Sequence, residues 1–209
     1  STANRGHLKD DWTSLGTEAM PFSGKFQGEE IEVNGERRYP ILNVNKPFIN
    51  YGASASVTNL TFNAVSSFTG NIDQAYVYDD FYYGVVANYV ENSSLSNLKV
   101  TNSAYEENYG IGINISYNRA IDETISTPIN YIGGAVGYSY GGSISSVEST
   151  LPMNLDLQTS ANSATGLESY VGGVIGYALS TKIADVKYSI MYDSFIDGNA
   201  YYPFVVQTS

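Results

Sequence analysis

Aliphatic residues three positions apart recur along this chain at regular intervals. The pairs are Val57 and Leu60, Leu95 and Leu98, Ile144 and Val147, and Ile183 and Val186. Six residues before each pair stands a tyrosine: Tyr51, Tyr89, Tyr138 and Tyr177. These tyrosines are 38, 49 and 39 residues apart (89 − 51, 138 − 89, 177 − 138). The last two close the best copies of a longer pattern, Tyr131-Ile-Gly-Gly-Ala-Val-Gly-Tyr138 and Tyr170-Val-Gly-Gly-Val-Ile-Gly-Tyr177. A looser copy is Tyr82-Tyr-Gly-Val-Val-Ala-Asn-Tyr89.

A recurring unit of about 40 residues calls for a repeat architecture. Gly-Gly pairs, β-branched residues and tyrosine are poor helix formers, and no apolar stripe of period 3.6 runs for three turns, so short strands are expected. Each unit reads as a strand over the Tyr-Gly-Gly pattern, a polar turn, a strand over the aliphatic pair, and a connection of variable length. Tyr falls over Tyr, Gly over Gly and aliphatic over aliphatic. That suits an all-β parallel solenoid of four to five coils stacked about 4.8 Å apart. A propeller would need four strands per blade and a closing partner. The longest connection, Thr101 to Asn130, contains a stretch from Asn108 to Tyr117 that is expected to form a strand or hairpin. Residues 200–206 align with 81–87 as the first half of a fifth unit, which either caps the stack, the preferred reading, or leads into a longer array.

Residues 1–39 read as an irregular lead-in and N-terminal cap, and residues 40–209 as the solenoid, in a single domain. Residues 1–11 are polar and charged, which predicts a flexible lead-in. Asn34-Gly35 is a strong hairpin signal. Arg37 and Arg38 follow it: a solvated pair is the expectation, a ligand clamp the alternative.

Composition sharpens this picture. The net charge is −11 over 209 residues, with no basic cluster of the kind a phosphate-tracking protein shows, so no nucleic-acid partner is expected. The acidic balance also argues against a grip on anionic lipid, and no run approaches the roughly 20 apolar residues of a membrane span. There is no cysteine, which excludes disulfides and thiolate metal sites. Charged residues make up 15% of the chain, while tyrosine occurs 19 times and glycine 20 times. Such a Tyr-, Gly-, Ser- and Asn-rich surface points to an extracellular protein. The first residues lack the apolar core of a signal peptide, and the chain opens on Ser1, as expected of a processed or excised segment.

The segments 133–138 and 172–177, each followed by a polar turn and Ile-x-x-Val, resemble the GLUG motif of large secreted or surface-attached bacterial proteins. Those include adhesins and the non-catalytic parts of IgA-cleaving peptidases. The lead-in, with Trp12, Leu15 and Gly16 followed by Pro21, Phe22, Gly24, Phe26 and Gly28, is similar to the segment that often opens such arrays. The resemblance covers roughly residues 12–190. The copy at 84–89 lacks two glycines, with Val85 and Asn88 in their places. The resemblance implies a right-handed parallel β-helix at the bacterial cell surface, binding a glycan or host-surface protein or serving as a stalk. It does not imply catalysis.

The chemistry-bearing residues agree with a non-enzymatic segment. His7 is the one histidine, so a His-Glu-x-x-His zinc site cannot form. The alternative is a polysaccharide-lyase-like β-helix, which needs carboxylates, often with Ca²⁺, and a base. No cofactor is expected: Asp73, Asp79 and Asp80 are the candidate Ca²⁺ ligands, and a solvated bend at Asp79-Asp80 is preferred to a Ca²⁺ site. Lys99, Glu148 and Lys187 occupy equivalent positions on successive coils, and a ladder of alternating charge is preferred there to a catalytic row. Tyrosines are the binding candidates, because an aromatic face stacks on a sugar ring and the hydroxyl adds a polar handle. Those in repeat register are expected to form packing columns. Those outside it, Tyr76, Tyr78, Tyr105, Tyr109, Tyr117 and Tyr140, are the candidate ligand contacts.

Overall fold

The computed structural model describes residues 5–7, 12–65, 68–74, 80–102, 113–119, 129–159, 168–189 and 204–208. Among them every regular element is a strand. The opening segment carries β1 (Arg5–His7), β2 (Lys25–Gln27), β3 (Ile31–Val33), β4 (Glu36–Arg38) and β5 (Ile41–Val44). A first unit follows with β6 (Ile49–Ala53), β7 (Ser56–Ala64) and β8 (Phe68–Gln74). A second has β9 (Phe81–Tyr83), β10 (Ala87–Glu91), β11 (Ser94–Thr101) and β12 (Ile113–Arg119). A third has β13 (Asn130–Gly133), β14 (Val136–Tyr140), β15 (Ser143–Ser149) and β16 (Met153–Thr159). The last has β17 (Ser169–Gly172), β18 (Ile175–Leu179), β19 (Lys182–Tyr188) and β20 (Phe204–Thr208).

From β6 onward, each strand pairs in parallel with its counterpart one unit away. A corner sheet runs β9-β13-β17, a tyrosine sheet β6-β10-β14-β18, a long sheet β1-β5-β7-β11-β15-β19, and a return sheet β8-β12-β16-β20. Pairing follows the repeat: Tyr51, Tyr89, Tyr138 and Tyr177 lie side by side, as do Leu60, Leu98, Val147 and Val186. Inward residues of the four sheets, among them Ile49, Phe62, Ile132, Leu95 and Ile113, join one buried cluster.

The three-residue spacing of the aliphatic pairs has a backbone cause. In a regular strand, residues three apart point to opposite faces. Here Asn59, Asn97, Ser146 and Asp185 fall inside the pairs with φ of 59°, 52°, 53° and 52°. A left-handed residue resets the alternation, so Leu95 and Leu98 are both buried. Asn, Asp and Ser fit there because a short polar side chain tolerates this conformation better than a branched one. A second column of positive φ, at Ser54, Asn92, Gly141 and Ser180, turns the chain from the tyrosine sheet into the long sheet.

Three expectations need correction. The Tyr-Gly-Gly pattern is two strands, β13 and β14, broken at Gly134 and Ala135. The longest connection carries a strand as expected, β12, paired on both sides, and the other connections carry strands of the return sheet as well. Phe204–Thr208 does not open a fifth unit: it pairs with Met153–Leu157 and completes the return sheet, whose β16 edge is open to it. Within the lead-in, Arg5–His7 pairs with Ile41–Asn43, since backbone pairing at an open edge needs no apolar side chain. The Asn34-Gly35 turn forms as expected, with φ of 56° and 81°, between antiparallel β3 and β4. The stacking also reaches back before Pro40. Leu15 bridges to Ile49, Phe22 to Gly52, and β2 and β5 share one edge of β7.

Candidate functional site: the tyrosine columns and the groove on the long sheet

The bend at Gly134 and Ala135 folds β13 back beside β14, and β14 requires glycine where its backbone meets the preceding unit. A Cβ on Gly137 would lie 2.6 Å from the Tyr83 nitrogen and the Asn88 oxygen, and 2.9 Å from the Tyr131 oxygen. Where Asn88 occupies the equivalent place, its side chain accepts from the Gly84 N–H (3.1 Å) and donates to Asn50 (3.0 Å). Gly173 makes room of another kind, for the ring of Tyr188, which packs against it.

The bend brings together the tyrosines at its two ends. One column is Tyr51, Tyr89, Tyr138 and Tyr177, with successive centroids 4.2, 5.1 and 5.4 Å apart and planes within 19° of parallel. The other is Tyr82, Tyr131 and Tyr170, at 5.3 and 5.5 Å and within 8°. The columns interlock edge to face, as at Tyr82–Tyr89 (5.2 Å) and Tyr170–Tyr177 (4.7 Å). Both geometries put the positive ring edge or an offset face against the negative π-cloud, which favours them over a face-on sandwich.

Packing also affects the phenols. Burial, then the nearby Asp80 carboxylate, pushes the Tyr131 phenol up to about 12. Burial raises Tyr82, Tyr89 and Tyr83 as well, with Asp80 the next cause at Tyr82. Tyr170 is raised chiefly by its hydrogen bond to Glu168. Tyr82, Tyr89, Tyr131 and Tyr170 therefore keep their protons to higher pH than a free tyrosine does.

Of the tyrosines expected to contact ligand, Tyr140 ends β14 and is 40% exposed. Tyr117 lies in β12, opposite Ile72 and Leu157 in register. Tyr76, Tyr78, Tyr105 and Tyr109 lie outside the described residues, as does Asp79. Asp73 lies in β8, paired with Asn118. Both carboxylate oxygens of Asp80 are engaged, one by the Ile129 N–H (2.9 Å) and the other by the Tyr82 hydroxyl (3.3 Å). Asp80 thereby ties the second unit to the third. Among the described residues, no three His, Asp or Glu side chains gather to hold a metal ion.

The charge ladder is in register, with Thr61, Lys99, Glu148 and Lys187 at one position on β7, β11, β15 and β19. Lys187 pairs with Glu148 at 3.7 Å, and Ser189 donates to the same carboxylate oxygen at 3.0 Å. Sequence reasoning missed what lies over this row. A groove of about 490 Å³ is lined by Thr61, Lys99 and Glu148 together with Asn97 and Ser146, and by Arg38 and Tyr39 from the segment after the hairpin. Two weak signals marked it: the Arg37-Arg38 pair, and a Lys in the repeat position where Thr61 stands one unit earlier.

No protein-family model, curated protein or solved structure matches the chain. Among the described residues, no helix is long and apolar enough to cross a membrane.

Proposed function

We propose that this chain is a non-catalytic module of a secreted or surface-attached bacterial protein. In this reading it is a right-handed parallel β-helix of the GLUG type that binds a glycan or a host-surface protein outside the cell. The observation that carries it is where the repeated residues lie. The tyrosines stack on one another, Gly133 and Gly137 allow the bend, and the residues at positive φ set the strand phase. The motif thus supports a stack of units and leaves recognition to surfaces that differ between units. An acidic, Tyr- and Asn-rich exterior with few charges suits neutral or sparsely charged ligands.

The test is binding of the purified chain to immobilised glycans and host-surface glycoproteins, run beside an assay for cleavage of acidic polysaccharides. Binding without cleavage is expected. Cleavage would overturn the non-catalytic reading in favour of a lyase, and binding to nothing would reduce the module to a spacer.

A further inference from the structure

We propose that the groove over the long sheet binds an acidic oligosaccharide in which a carboxylate-bearing ring alternates with an uncharged one. The proposal rests on the reading of the chain as a glycan-binding module and names the ligand class and its site. The groove crosses three successive strands, so it runs along the stacking direction and suits a linear polymer lying across them. Two cations line it, Arg38 and Lys99, in a chain whose net charge is −11. Among the described residues Lys99 makes no ion pair, whereas Arg38 is held only by its exposed hairpin neighbour Glu36, at 3.4 Å. A carboxylate between them receives charge-assisted hydrogen bonds from both.

The next position along the row decides the pattern of charge. Glu148 lies one strand beyond Lys99, about 4.8 Å away. Lys187 and Ser189 hold it in place as an acceptor. A second anion there is repelled, whereas the hydroxyls of an uncharged ring can donate to it. Lys187, the following residue in the row, is paired with Glu148 and is not among the residues that line the groove. The groove therefore sets a cationic end, Arg38 and Lys99, beside an acceptor, Glu148, and matches a carboxylate-bearing ring followed by an uncharged one. A nucleic-acid strand, with a phosphate about every 3.4 Å along a duplex, would set like charge against Glu148. Tyr39 offers a ring to stack on a sugar, and Asn97 and Ser146 offer an amide and a hydroxyl from exposed bends.

Calorimetric titration with a hyaluronan hexasaccharide, in which uronate alternates with N-acetylhexosamine, tests this. A polygalacturonate hexamer, cellohexaose and polyphosphate are the comparison ligands. The hyaluronan fragment should bind most tightly, and more weakly as salt rises. Lys99→Ala and Arg38→Ala should each weaken it about tenfold, with Lys99→Arg within about threefold of the parent. Both side chains are on the surface, so the circular dichroism of the variants should match the parent. Unchanged affinity in Lys99→Ala would overturn the proposal, and so would equal binding of polygalacturonate or polyphosphate. If other glycans bind the chain while both Ala variants behave as parent, the groove proposal falls and the module reading stands. If no glycan binds at all, the groove proposal falls and the module reading is left to host-surface proteins.

Discussion

The ring of Tyr131 meets the ring of Tyr138 edge to face, with centroids 4.9 Å apart and planes at 80°. Seven positions separate them in the chain, and the bend at Gly134 and Ala135 closes that distance. The same contact recurs at Tyr82–Tyr89 and Tyr170–Tyr177. The two tyrosine columns are thus one structure, made by a backbone bend repeated once per unit.

Tyr138 stands where the columns are densest, touching Tyr89, Tyr177, Tyr82 and Tyr131. Tyr138→Ala should cost about 2–4 kcal/mol in urea unfolding, from lost aromatic contact and the cavity left behind. Tyr138→Phe keeps the ring and should cost less than about 1 kcal/mol. Equal losses in the two variants would mean that the hydroxyl matters more than the stack.

Gly137→Ala places a methyl group against the Tyr83 and Asn88 backbone, which has no room to give. The expected cost is about 3 kcal/mol or more, with loss of the Tyr131–Tyr138 contact. Gly35→Ala is the control. Nothing lies within 4 Å of its added Cβ, and only its φ of 81° resists, so the cost should be about 1 kcal/mol. Thermal melts of the two variants should separate clearly.

Ser146 holds a φ of 53° in a row where the two preceding units carry Asn59 and Asn97, joined side chain to side chain at 3.0 Å. Ser146→Asn should stabilise by about 0.5 kcal/mol, because Asn accepts this conformation more readily. Ser146→Val should destabilise by about 1–3 kcal/mol, since a branched side chain is strained there. A Val variant as stable as the parent would show that the strand phase does not depend on this residue.

Alkaline pH should unfold the chain through the tyrosine columns. The Tyr131 phenol is raised to about 12 in the folded state, from about 10 in an unfolded one. Between those values the folded chain holds a proton that the unfolded chain has lost. The stability is therefore full below about pH 10 and falls as pH rises towards 12. Tyr82, Tyr89 and Tyr83 shift the same way. Absorbance of the ionised phenol should lag behind that of free tyrosine and then rise together with loss of the β-sheet signal. Ionisation of these phenols near 10 with the sheet signal intact would contradict the packed columns.

The register of the stack was legible in the sequence. Tyr51, Tyr89, Tyr138 and Tyr177 pair as their spacing requires, and so do Lys99, Glu148 and Lys187. Self-similarity carries this information, because like residues at a constant offset can lie side by side only in one alignment. The Asn34-Gly35 hairpin was legible too, through a local backbone preference. Phe204–Thr208 was misread for the complementary reason. Residues 204–206 align in sequence with 85–87, but the edge that this strand joins is set by β16, about 50 residues away.

The sequence by itself therefore determined the period, the strand class and which side chains align from unit to unit, because those follow from pattern and local conformation. Tertiary structure decided three things. It made Tyr-Gly-Gly a bend rather than a strand, since only the close stacking of β14 on β9 and β10, with β13 beside it, shows why Gly137 carries no side chain. It turned two tyrosine columns into one interlocked array. It also brought Arg38 and Tyr39 beside Lys99 and Glu148, some 60 and 110 residues further along the chain. Distant residues of the same kind can be aligned by counting. Distant residues of different kinds come together only when sheets pack, and no periodicity in the chain encodes that meeting.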